Sequence, residues 1–453
     1  MKDISRAAGR PLARDGAYAW SVVVMLTLAY TVSFIDRQVL NLLVDPIKED
    51  LGATDTQMSF LQGAAFIFAY IIFNPLFGRW VDTGHRRNIV IIGITLWSAF
   101  TVLCGLSENL ATLFIGRAGV GAAEAALGPA AWSLISDYFT RSRLPRAMSV
   151  YLMGPYIGGG AALIFGGVVL GGTASLTGYF PFLDGLAPWQ ITFIAAGIPG
   201  LLLCLLFLFI REPERMKLTG SATDDRRFSL AETLGFLWGR RNFYLRFFLT
   251  MALIVVVLYA VPAWGPAMLI RNYGVTAESV GLIFGFLVLG CGSAGVLTGP
   301  FVGGWLIRRG HKSAIVLCAV IAAVSLCVIC ALFPFAPNYL SGLILLGAAT
   351  FFFSFPQAMA ASALQITTPN RMRGVVIAAY TLVLSGIGLG FAPTIVALIT
   401  DYVFARPEHV RESLSIVCVL SSGCAALLGW STLPHYAKAL EAEEERHQAG
   451  SES

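Results

Sequence analysis

Twelve apolar stretches, each long enough to cross a lipid bilayer, constrain this chain more than any other feature. They run over residues 17–43, 57–79, 88–107, 110–135, 146–171, 189–210, 243–270, 279–306, 313–333, 339–365, 374–401 and 411–433. A bilayer core needs about 20 apolar residues per helix, and charge clusters, Pro or Gly bound each stretch. The first is too long, and too polar at its end, to be a cleaved leader. Composition agrees: 13% of the 453 residues are charged, against about 25% in a soluble domain. The 47 glycines suit close helix packing. The expected fold class is all-α integral membrane with twelve transmembrane helices. Disorder, a disulfide scaffold and an ordinary soluble enzyme are excluded.

Lys and Arg set the expected orientation, because they accumulate in cytoplasmic loops. With both termini inside, the inner connections hold 25 of the 31 basic residues, and the outer ones only Lys48, Arg271, Arg406 and Arg411. Arg37 and Arg117 remain, inside helices. The predicted location is a bacterial-type inner (plasma) membrane with cytoplasmic termini. The longest inner connection divides the helices six and six. This gives an N-terminal segment 1–16, a bundle 17–210, a linker 211–242, a bundle 243–434 and a tail 435–453. Within the linker, the charged run Asp224, Asp225, Arg226, Arg227 precedes Ser229 and Glu232, spaced as a capping box. Leu230, Leu234, Leu237 and Trp238 then predict a short interfacial helix.

Other motifs are negative. Cys327 and Cys330 have CxxC spacing but no histidine nearby, and read as small apolar residues on one helix face. Gly290, Gly292 and Gly295 spell GxGxxG, yet inside an apolar helix and not at a strand-to-helix turn. No Walker-type lysine motif or catalytic triad is visible. No enzyme activity, cofactor, metal or nucleic-acid partner is expected, and the chain is expected to be a monomer among membrane lipids.

The two halves repeat. GRWVDTGHRR from Gly78 is echoed by GGWLIRRGHK from Gly303, and the run from Pro129 to Arg146 by that from Pro356 to Arg373. Duplicated six-helix halves imply alternating access, the bundles rocking about a site near the midplane.

These residues resemble the major facilitator superfamily, whose inner-loop pattern is G-x-x-x-D-R-x-G-R-R. Gly78, Asp82, Arg86 and Arg87 match it, while Thr83 replaces a basic residue and the loop glycine is shifted to Gly84. The second copy keeps Gly303, Arg308, Gly310 and Lys312, with Ile307 in place of the acid. Arg117 and Gly121 fit an R-x-x-x-G pattern, and GPYIGG from Gly154 is close to a pattern of antiporters. The stretch Phe34–Gln57 and the run from Gly116 are similar to the Spinster branch. The resemblance implies two pseudo-symmetric six-helix bundles and transport of an amphipathic or organic anion, such as a lysophospholipid or sphingoid phosphate. Two alternatives stand beside it: a multidrug–proton antiporter and a non-transporting receptor or scaffold. Asp82 is expected to cap the helix starting near Gly374 and to bind Arg141 or Arg143, which makes the motif a gate.

Ionisable groups within a membrane helix are costly and are functional candidates by default. Away from the helix ends there are four: Asp36 and Arg37 in segment 1, and Arg117 and Glu124 in segment 4. Adjacent residues point about 100° apart, and residues seven apart lie about 10 Å apart along the axis. Neither pair can close within its own helix. The expected pairing is Glu124 with Arg37, and Asp36 with Arg117 or a polar neighbour. Asp36 and Glu124 are the candidate proton-coupling groups; Arg37 and Arg117, with Tyr30, Tyr156 and Tyr259, are the candidate substrate-binding groups. The plainer alternative is that these ion pairs only lock two helices together.

Overall fold

A computed structural model of the chain describes residues 15–140, 143–213, 230–369 and 372–451. The expected capping residue Ser229, the run Asp224–Arg227, Arg141 and Arg371 lie outside the described residues. Every regular element among the described residues is a helix. Twelve helices are long and apolar enough to span a bilayer: α1 Ala17–Leu42, α2 Asp55–Thr83, α3 Arg86–Gly105, α4 Leu110–Tyr138, α5 Arg146–Tyr179 and α6 Pro188–Phe207, then α7 Arg241–Tyr273, α8 Ala277–Arg308, α9 Ala314–Phe335, α10 Tyr339–Thr367, α11 Val375–Phe404 and α12 Pro407–Glu441. They coincide with the twelve expected segments to within a few residues at most ends. The largest differences are α12, which extends at both ends to Pro407 and Glu441, and α5, which continues through a glycine- and threonine-rich stretch to Tyr179. There Thr177 Oγ1 donates to the Thr173 carbonyl (3.2 Å) and turns its hydroxyl back onto its own helix. The linker helix Leu230–Gly239 is present where the apolar spacing predicts one.

Proline places the interruptions. Pro129 has no N–H to offer the Ala125 carbonyl, and α4 is broken into Leu110–Glu124 and Leu127–Tyr138. α10 is broken beside Pro356 into Tyr339–Ser354 and Gln357–Thr367. The repeated proline thus carries a repeated break. In α4 that break follows directly after Glu124.

Contacts divide the chain into two compact units. One comprises Met1–Val39, Phe68–Ala162 and Gly172–Ser221 over their described residues. The other comprises Leu40–Ile67, Leu163–Gly171 and Ala222–Ser453. The second unit therefore includes the end of α1, the short helix Val44–Leu51, the start of α2 and a central piece of α5. Glycine makes these approaches possible. A Cβ on Gly63 of α2 would stand 2.2 Å from the Leu389 carbonyl oxygen of α11.

The GxGxxG run is packing as well. A Cβ on Gly295 would meet the Phe351 carbonyl oxygen of α10 at 2.2 Å, and one on Gly299 the Phe355 carbonyl oxygen at 2.1 Å. Gly290 has nothing within 4 Å of that position. Gly299→Ala must push α8 off α10 and is expected to cost about 1–3 kcal/mol. Thermal unfolding in detergent checks this: the midpoint falls for Gly299→Ala and is unchanged or slightly raised for Gly290→Ala.

Candidate functional site

The four intramembrane charges meet in the first unit. Arg37 Nη2 donates to Glu124 Oε2 at 2.5 Å across α1 and α4, both side chains being largely buried. This is the pairing the helical spacing predicts. Arg117 behaves differently from expectation. Its Nη1 donates to the main-chain carbonyl of Asp36 (3.0 Å) and its Nη2 to that of Arg37 (3.3 Å). The reason lies in the helix end. α1 tightens into a 3₁₀ turn at Val39–Leu42, and the last carbonyls of an α-helix lack intrahelical partners. A buried guanidinium supplies donors to them.

Asp36 is fully buried, and among the described residues neither of its carboxylate oxygens accepts a hydrogen bond. The neighbouring Thr101 hydroxyl is turned to the Trp97 carbonyl (2.9 Å). Glu124 also keeps one oxygen, Oε1, without a hydrogen bond. The cluster thus holds two buried guanidinium groups and two carboxyl groups. One carboxyl is half-satisfied and the other receives no donor. Burying a charge is expensive unless it is paired and hydrogen-bonded, and the two carboxyl groups meet that requirement unequally.

Of the three candidate tyrosines, Tyr30 stacks on Tyr151 at 4.9 Å between ring centres and meets Phe34 edge-on at 5.4 Å. Phe34 in turn lies 4.4 Å under the Arg37 guanidinium. Tyr156 is half-buried in the same unit, and Tyr259 belongs to the second unit, against Gly388 of α11. The buried Tyr151, whose hydroxyl has no hydrogen-bond partner among the described residues, was not among the sequence candidates. α5 is interrupted between Tyr151 and Gly154, where Pro155 follows, and a tyrosine beside that Gly-Pro pair was the available signal.

The inner-loop motif is organised around Arg86. This buried arginine ion-pairs with Asp137 of α4 and with Glu212 (Nε to Oε1, 2.7 Å). It also donates to Ser133 Oγ (3.0 Å) and to the Pro213 carbonyl (2.9 Å). Glu212 accepts the Arg87 N–H as well (2.9 Å), so its carboxylate caps the positive end of α3. Asp82 is exposed. Arg143, one of its two expected partners, reaches the Asp15 carbonyl (3.4 Å). Gly78 has open space around it, whereas a Cβ on Gly303 would meet Met359 Sδ at 2.6 Å. Gly310 has φ +88°, a left-handed cap that glycine adopts without strain. Arg308 is exposed.

A second charged cluster lies in the other unit, at the end assigned by sequence to the outer side. Arg271 of α7 holds Asp45 (Nη2 to Oδ1, 2.6 Å) and Asp55 (Nη1 to Oδ2 and Nη2 to Oδ1, both 2.8 Å). Lys48 also pairs with Asp55. Asp401, in the π-turn that ends α11, accepts from both Thr56 N and Thr56 Oγ1 at 2.7 Å. These bonds tie the start of α2 and the helix before it to α7 and α11. Sequence reading took Arg271 only as one of four outer basic residues. The available signal was an acid on each side of Lys48 in an otherwise charge-poor outer face.

Comparison with known proteins then places the chain. The family model described as Major Facilitator Superfamily matches residues 26–393. An MFS-type efflux pump of Mycolicibacterium smegmatis is 29% identical over 281 residues, covering 62% of this chain and 60% of the pump. Protein spinster of Drosophila melanogaster is 24% identical over 315 residues, covering 68% of this chain and 49% of that protein. The chain thus spans less than two thirds of either relative. A crystal structure of a bacterial homolog to the human lysosomal transporter Spinster, inward-facing and unoccupied, superposes with a TM-score of 0.77 at 21% identity, covering 95% of this chain and 98% of that one.

Removing the Arg86 guanidinium would leave Asp137 and Glu212 facing each other without a cation. Arg86→Gln is expected to destabilise by about 1–3 kcal/mol, with Arg86→Lys recovering only part because it lacks the planar fork. The midpoint of thermal unfolding in detergent reads both.

Proposed function

Because the chain belongs to the Major Facilitator Superfamily and is a membrane transporter rather than an enzyme, we propose that it is a proton-coupled secondary transporter of an amphipathic anion, working by alternating access. The observation that carries this reading is the α1–α4 cluster: Arg37 paired to Glu124 beside a buried Asp36 that receives no hydrogen bond. An anionic headgroup reaching Arg37 competes with the Glu124 carboxylate. The displaced carboxylate, buried and without its cation, takes up a proton, because a neutral acid needs no partner there. Release of the anion reverses both steps. Substrate and proton therefore bind together and leave together, coupled through a single arginine. Lysophospholipids and sphingoid phosphates combine such a headgroup with an apolar tail, and the likeness to protein spinster supports this class.

The Arg271–Asp45–Asp55 network serves in this reading as the closed outer gate, with Asp401 as its second tie. Similarity to a solved structure named as inward-facing supports it. The inward placement of both termini follows from the basic-residue bias. The multidrug–proton antiport alternative draws on the mycobacterial efflux pump and on GPYIGG at the start of the second part of α5. In that case Asp36 and Glu124 would bind a cation directly.

Purified protein in liposomes, with an imposed pH gradient and lysophosphatidic acid, sphingosine 1-phosphate or ethidium as probe, separates these readings. Gradient-driven movement of an anionic amphiphile, lost in Glu124→Gln with the protein still folded, is the expected result. Unchanged pH dependence in Glu124→Gln removes Glu124 from coupling, and movement of ethidium alone selects the antiporter. For the gate, Ala263 is a buried residue about two turns before Arg271 on α7, and Arg271→Ala is expected to raise severalfold the rate at which a maleimide labels Ala263→Cys in a background lacking native cysteines.

A further inference from the structure

One group of basic residues lies apart from the ion-paired clusters described above. Arg246, in the first turns of α7, donates from Nη1 to the Ser431 carbonyl of α12 (3.4 Å). His435 and Lys438 follow Ser431 at spacings of four and three, which puts all three on one helix face. Arg246 and Lys438 both act electrostatically on the His435 imidazole, so two cations and an imidazole converge. Among the described residues no acid pairs with Arg246 or Lys438. The nearest acid along α12 with a described side chain, Glu441, is held by Lys312 (2.9 Å). His435 Nδ1 is buried and has no hydrogen-bond partner among the described residues.

Two cations gathered beside an imidazole without a counter-charge repel one another, which is stable only if an anion joins them or if water screens them. What surrounds the cluster decides between these. Behind it, the Phe243 and Tyr436 rings pack at 5.4 Å and close off the interior. Below it, Leu420 and Leu427 lie on the same face of α12 as Ser431 and Lys438, at i, i+7, i+11 and i+18. Both are strongly exposed, as is Trp430 beside them. In a chain of twelve membrane-crossing helices an exposed apolar stripe of this kind faces acyl chains. The stripe leads directly into the basic cluster at the end of the helix.

We propose that Arg246, His435 and Lys438 form a binding site for the phosphodiester headgroup of an anionic phospholipid, whose acyl chains lie along Leu427 and Leu420. The phosphate oxygens accept from the guanidinium, the imidazole and the ammonium, charge-assisted bonds of the strongest ordinary kind. Basic pockets between membrane helices near one leaflet are suited to such headgroups. The occupant is a membrane lipid rather than a soluble anion because its apolar part has a place to lie. The site is independent of the α1–α4 charges and of any transported substrate.

Native mass spectrometry of the full-length protein in detergent, with added phosphatidylglycerol or phosphatidylcholine, tests this. The wild type is expected to retain phosphatidylglycerol in preference to phosphatidylcholine. The bound fraction should fall about tenfold or more in Arg246→Gln/His435→Gln/Lys438→Gln, each removed group contributing separately. Arg246→Lys should keep most of it, and Arg309→Gln, which removes a basic residue from another helix end, should leave it unchanged. Equal retention of both lipids by the wild type, or equal phosphatidylglycerol binding by the triple variant with its thermal midpoint preserved, overturns the site. Displacement of phosphatidylglycerol by millimolar inorganic phosphate would overturn the lipid assignment in favour of a soluble anion. If the triple variant does not fold, Leu427→Asn with Leu420→Asn, which removes only the acyl stripe, is expected to weaken lipid retention, and no change there counts against the proposal.

Discussion

A charged group in a bilayer core has no water to solvate it, so each one must be held by another charge or by main-chain dipoles. The organisation of this protein follows from that requirement. Arg37 is held by Glu124, and Arg117 by the carbonyls that α1 leaves unbonded as it tightens after Asp36. The two arginines thus differ in kind. One holds a carboxylate side chain, and the other holds a helix end that cannot move without breaking the backbone contact. Asp36, which directly precedes Arg37, is buried with neither carboxylate oxygen accepting a hydrogen bond among the described residues.

The same requirement shapes the two other charged clusters. Arg86 opens the chain's third crossing and gathers Asp137, Glu212, Ser133 and the Pro213 carbonyl. Arg271 gathers Asp45 and Asp55. Each places one buried arginine against two carboxylates contributed by separate segments of chain, so that moving any one segment strands a charge. Such a network is stiff while assembled and costly to open by halves. That favours discrete states over gradual deformation, which is what alternating access requires.

The membrane-spanning pattern was almost entirely legible in the sequence, because 20 apolar residues between charges admit few other readings. The Arg37–Glu124 pairing was legible for a similar reason: helical geometry forbade the pairs within each helix. Arg117 was not, since its partners are main-chain carbonyls and no residue type announces an unbonded backbone group. Asp45 and Asp55 escaped notice because they lie in what reads as an ordinary polar connection. Their partner Arg271 is far away in sequence, and only the fold brings them together. Glu212 and Asp137 were hidden likewise, each being a common acid near a helix end. The repeated Pro129 and Pro356 were visible as a repeat, but their consequence, a helix break set next to Glu124, required knowing where the helices run.

The proposed coupling requires a buried carboxyl group in the α1–α4 cluster to change its protonation. Infrared difference spectroscopy of the purified protein in lipid, recorded across a pH step, observes this directly through the stretch of a protonated carboxylic acid. The prediction is a carboxylic-acid band that appears as the pH is lowered and is lost or displaced in Glu124→Gln or Asp36→Asn. A difference spectrum identical in the wild type and in both variants would contradict it, and would leave the four charges as helix locks and nothing more.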